Sequence, residues 1–106
     1  MASSGGDTWH RVAASDEIAD GSVAMVRAGA KLVALCRIDG RYGALDNACP
    51  HAGGPLGQGT IEGKRLMCPW HGREYDPMTG ECDGYAESAT AYPVEVRDDG
   101  VYVRVE

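Results

Sequence analysis

Apolar and polar residues alternate with a period of two at both ends of this chain. In KLVALCRI, residues 31–38, Leu32, Ala34, Cys36 and Ile38 fall on one side of an extended strand. The preceding VAMVR, residues 23–27, is separated from it by Ala-Gly-Ala, so the two predict a hairpin. RYGALD, residues 41–46, follows Asp39-Gly40 as a further short strand. Near the other end, YPVEVR and VYVRVE surround Asp98-Asp99-Gly100 and predict a second hairpin, with Val94, Val96, Val101, Val103 and Val105 on its core face. WHRVAA, residues 9–14, reads as a first strand, SDEIADG as one helical turn ending at Gly21, and residues 1–7 as a flexible polar tail. The fold class is all-β.

The middle of the chain, residues 44–84, breaks this pattern and gathers Cys49, His51, Cys68, His71 and Cys82 among many glycines. At 106 residues the chain is expected to form one domain, and its 15 Gly, five Pro and absence of Phe favour short strands joined by many turns. Acidic residues outnumber basic ones 16 to 10, which argues against nucleic acid or an anionic membrane as partner. The segment from Glu74 to Glu87 carries Glu74, Asp76, Glu81, Asp83 and Glu87 with no Lys or Arg, either as a solvated face or as a docking rim. The longest apolar run, LVALC, is far too short to span a membrane, and MASSGGDT does not read as a signal peptide. A cytoplasmic protein is expected, with its four cysteines serving as ligands or buried thiols. Cys36, on the inward side of a strand, reads as a small buried apolar residue.

Two short segments carry the chemistry. Cys49 and His51 stand as Cys-x-His, and after sixteen intervening residues Cys68 and His71 stand as Cys-x-x-His. Each offers one thiolate and one imidazole on a glycine-rich loop, a set that can bind either one ion or a two-metal cluster. Structural zinc sites usually pair Cys with Cys and His with His, and one intervening residue strains chelation of a single tetrahedral ion. A two-iron centre accommodates the alternation, because each loop can give its Cys to one iron and its His to the other.

CPHAGGPLGQG and MCPWHGREYDPMTGEC resemble the two cluster-binding loops of Rieske [2Fe–2S] proteins. The resemblance implies a Rieske iron–sulfur fold over residues 1–106: small antiparallel β-sheets form a sandwich-like base with an inserted two-loop cluster-binding subdomain at about 44–84. It also implies one [2Fe–2S] cluster per chain held by Cys49, His51, Cys68 and His71. Trp70 is expected to cover the cluster, Leu56 and Met67 to fill the core beneath it, and Tyr75, Trp70 and Arg73 to tune it. Respiratory Rieske proteins add a disulfide between the loops; here those positions are Gly54 and Trp70, so the clip is missing, and Cys36 and Cys82 are expected to remain free thiols.

Three histidines are present, and with His51 and His71 taken only His10 remains, too few for the two-histidine, one-carboxylate iron of a terminal oxygenase. No dinucleotide fingerprint is present. The resemblance therefore implies a one-electron carrier rather than an enzyme: a monomeric Rieske ferredoxin that docks transiently, at its histidine tip, with a flavoprotein reductase and a ring-hydroxylating terminal oxygenase. The alternative is a small Rieske subunit of an assimilatory nitrite reductase.

Overall fold

A computed structural model describes residues 9–50, 53–70, 72–82, 84–85 and 88–105. Among the described residues the ten strands are β1 (Trp9–Ala13), β2 (Ser22–Ala28), β3 (Lys31–Ile38), β4 (Arg41–Asp46), β5 (Thr60–Glu62), β6 (Arg65–Met67), β7 (Glu74–Tyr75), β8 (Ala91–Tyr92), β9 (Val94–Arg97) and β10 (Gly100–Arg104). They form three antiparallel sheets, ordered β1-β10-β9, β2-β3-β4-β8 and β5-β6-β7. One 3-10 turn, Leu56–Gln58, interrupts the loop before β5. The all-β reading holds.

The expected hairpins are present. Ile38 pairs with Arg41 across Asp39-Gly40, and both turn residues have positive φ, 54° and 78°. That is the backbone of a type I′ turn, whose twist matches the strands it joins. Residues 15–21, expected as a helical turn, form non-helical turns instead. The Glu17 carboxylate accepts from Ala14 N–H at 2.9 Å, and the Ile18 carbonyl accepts from the Arg37 guanidinium at 3.0 Å. Side chains thus satisfy backbone groups of this segment, while Ile18 anchors it in the core.

The two middle strands of the central sheet, β3 and β4, are buried on both faces, which positions the site. Val33, Leu35 and Ala44 pack toward the terminal sheet with Val101, Val103 and Val105. Ala34, Cys36 and Leu45 face the other way and pack with Leu56, Leu66, Cys49, Cys68, Tyr75, Cys82 and Ala89. β3 is therefore a two-faced core strand, not the one-faced strand its alternation suggested, and Leu32, beside the β2–β3 turn, is exposed. Val96 also departs from expectation: β9 is a sheet edge, and only its first residue, Val94, reaches the core cluster. In β6 the core position belongs to Leu66, with Met67 half-buried, because the middle residue of this three-residue strand faces inward. Leu56 is fully buried, as expected.

Candidate metal centre

Two loops meet on the outer face of the central sheet, and their backbones repeat one another. In the first, Cys49 N–H donates to Gly54 O at 2.8 Å and Gly53 N–H donates to Cys49 O at 2.7 Å. In the second, Cys68 N–H donates to Arg73 O at 2.8 Å and Gly72 N–H donates to Cys68 O at 3.0 Å. The offsets from each cysteine are the same, four and five residues. Each closure requires a left-handed residue at the fourth place, supplied by Gly53 at φ 76° and Gly72 at φ 71°. A side chain there would strain both loops.

The first loop is fastened to the sheet by a dipeptide whose role the sequence reading passed over. Asp46 accepts from Ala48 N–H at 2.9 Å and from the Tyr92 hydroxyl at 2.9 Å, tying the loop's start to β8. Burial and then the Asp46 contact push the Tyr92 hydroxyl up to about 12. Asn47, a buried polar residue, accepts from Gly57 N–H at 2.7 Å through its side chain, while its own N–H donates to Leu32 O. Asp and Asn ending a strand are residues that bond nearby backbone, and this was the available signal.

Both loop cysteines are buried, Cys49 at 2% and Cys68 at 1% exposure, and both lie in one core cluster without a disulfide. Beneath them lies Tyr75, also fully buried, with its hydroxyl 3.0 Å from Cys49 Sγ. Burial first, then the Cys49 contact and then Cys82, raise the Tyr75 hydroxyl well above the ordinary phenol range. A tight turn returns the chain to it: Gly80 N–H donates to Asp76 O at 2.7 Å, Asp76 N–H donates to Glu81 O at 2.8 Å, and Cys82 then bridges Tyr75 as a strand neighbour. Cys36 lies in the same core with its thiol pushed up to about 12 by burial. His51 and His71 lie outside the described residues, as do Asp83 and Glu87.

Trp70 lies against Gly54: a Cβ built on Gly54 would sit 2.9 Å from indole carbons and 3.2 Å from Cys68 Sγ. The indole thus joins the loops at the two positions where the respiratory clip would stand, and it remains 57% exposed. The Arg73 guanidinium stacks 3.7 Å over the ring of Tyr85, an exposed aromatic that the sequence reading did not single out. In the acidic segment Asp76 accepts from Met78 N–H at 2.8 Å and sits 3.8 Å from Arg65, so it works within the turn, whereas Glu81 is exposed.

Two buried thiols without a disulfide, on matching loops above an apolar floor, suit a [2Fe–2S] cluster, which takes thiolate ligands and needs shelter from water. Residues 8–96 match the family model for the Rieske [2Fe–2S] domain. Over 100 residues the chain is 31% identical to the ferredoxin component of the naphthalene 1,2-dioxygenase/salicylate 5-hydroxylase systems of a Ralstonia species, covering 92% of this chain and 96% of that one. Among solved structures, the ferredoxin of carbazole 1,9a-dioxygenase from Nocardioides aromaticivorans superposes with a TM-score of 0.85 at 25% identity, covering 93% of this chain and 99% of that chain. A ferredoxin in complex with the oxygenase of a carbazole 1,9a-dioxygenase gives a TM-score of 0.82 at 29% identity, covering 91% and 92%. The chain belongs to the Rieske [2Fe–2S] family, and the relatives it matches over nearly their whole length are ferredoxins, electron carriers rather than catalysts.

Proposed function

We propose that this protein carries single electrons from a flavoprotein reductase to a ring-hydroxylating terminal oxygenase. The observation that carries the reading is the pair of matching loops with buried Cys49 and Cys68, in a chain that parallels oxygenase ferredoxins over nearly their full length. Cys49 and Cys68 supply thiolates and His51 and His71 supply imidazoles to the cluster. When bound, the cluster takes up and releases one electron. The loop closures fix the two sulfurs, the apolar floor of Leu56, Leu66 and Tyr75 excludes water, and Trp70 covers the seam between the loops. Pro50 and Pro69 are exposed beside the two ligand segments, where a partner can approach.

The third histidine, His10, stands on β1 with its ring against the β2–β3 turn at Gly29, in the terminal part of the fold. It leaves no histidine pair for a second iron site, so oxygen chemistry falls to the partner. A cytoplasmic monomer that docks transiently fits this role. Full-length likeness to dioxygenase ferredoxins favours it over a stable subunit of a nitrite reductase.

Stopped-flow mixing tests the reading. The oxidised protein should be reduced by an NADH-charged flavoprotein reductase and reoxidised by a Rieske oxygenase holding an aromatic substrate. Gel filtration of the mixture should return separate components. Failure to exchange electrons with either partner, or a stable complex with one of them, would contradict it.

A further inference from the structure

Tyr75 is fully buried beside two cysteines. Cys49 Sγ lies 3.0 Å from Tyr75 Oη, and the Cys82 side chain is also within hydrogen-bonding reach of it. The second contact follows from the backbone. The turn closed by Asp76 and Gly80 brings Cys82 opposite Tyr75 in an antiparallel bridge, and residues so paired point their side chains to the same face. Both belong to the core cluster that floors the loops.

The chemistry of the three groups fixes their order. A thiolate that binds iron has no proton and can only accept, so the Tyr75 O–H must donate to Cys49. The phenol has a single proton but can also accept. What remains on its oxygen is acceptor capacity, and the group facing it is a thiol with one proton. We infer that Cys82 is a positioning residue: its S–H donates to Tyr75 Oη and keeps the Tyr75 O–H aimed at the Cys49 sulfur. This rests on Cys49 being a cluster ligand, as proposed above.

In such a chain each bond polarises the next, strengthening it by roughly 10–30%. The Tyr75–Cys49 bond gains when an added electron places negative charge on the sulfurs, so a stronger donor favours the reduced state. Losing the Cys82 donor should therefore lower the reduction potential, although Cys82 touches no iron. The expected size is that fraction of the whole Tyr75 effect, about a 1.2- to 1.6-fold change in the reduced-to-oxidised ratio at fixed potential, or roughly 5–12 mV at 59 mV per tenfold for one electron.

The test is a double-mutant cycle read by voltammetry on purified holoprotein, with visible absorption and iron content confirming the cluster in every variant. Cys82→Ala should lower the potential. Cys82→Ser, which keeps a donor, should restore it toward the starting value. In a Tyr75→Phe background, Cys82→Ala should have no effect, since the relay is already cut. An unchanged potential in Cys82→Ala would overturn the inference, as would an equal shift with Tyr75 absent. Loss of the cluster from both the Ala and Ser variants would also overturn it, by making Cys82 a structural requirement. A starting protein without iron would defeat the functional reading itself, a separate outcome.

Discussion

Trp70 rests on Gly54, and this contact joins the two loops without a covalent bond. The fit depends on Gly54 having no side chain, because an added methyl would fall within 2.9 Å of the indole and 3.2 Å of Cys68 Sγ. Gly54→Ala should displace the indole and open the seam, with the cluster lost severalfold faster in air. Trp70→Ala should do the same with little change in thermal midpoint, since the indole is more than half exposed. Decay of visible absorption over time measures both, and unchanged decay in Trp70→Ala would mean the indole gives no shelter.

Tyr75→Phe should lower the reduction potential while leaving the fold intact, because the ring fills the same space. A charge-assisted hydrogen bond is worth about 1.5–3 kcal/mol, and only its change on reduction counts, so ~1 kcal/mol is taken. For one electron that is on the order of 40 mV. Voltammetry of the variant checks it; an unchanged potential would reduce Tyr75 to packing.

The acidic segment divides into two roles. Glu81 is exposed, and Glu81→Lys should alter the rate of association with the reductase or oxygenase, in a salt-dependent way, with stability nearly unchanged. Asp76 holds the turn through Met78 N–H and sits beside Arg65, so Asp76→Lys should also lower stability, by roughly 1–2 kcal/mol. Transfer rates over a salt series together with urea unfolding separate the two.

Tyr92 donates to Asp46, and Tyr92→Phe should cost about 1 kcal/mol at neutral pH. Its hydroxyl is held up at about 12 against an ordinary value of 10, so the protonated form is favoured in the folded state. That contribution is complete below about pH 10 and is lost as pH rises toward 12. Urea unfolding between pH 9 and 12 should show stability falling more steeply in the starting protein than in Tyr92→Phe.

How much of this was legible in the chain differs by region. The hairpins were, because Asp39-Gly40 and the valine alternation near Val101 are local signals. The double burial of β3 was not, since alternation cannot show that two other layers cover both faces of one strand. Cys49 and Cys68 stood out by spacing, yet Cys82 read as a bystander: its contact with Tyr75 arises from the turn at Asp76–Gly80, which sequence distance hides. Asp46 and Asn47 were overlooked because polar residues at a strand end look like ordinary loop, and only their partners Tyr92 and Gly57 reveal them as fastenings.

The central claim is that two thiolates and two imidazoles hold a two-iron cluster. Iron and acid-labile sulfide, measured per chain in purified protein and its variants, test it most directly. The starting protein, Cys36→Ser and Cys82→Ser should each hold two irons and two sulfides, while Cys49→Ala, His51→Ala, Cys68→Ala and His71→Ala should lose them. A full complement in Cys68→Ala, or zinc without sulfide in protein from iron-replete cells, would contradict the account.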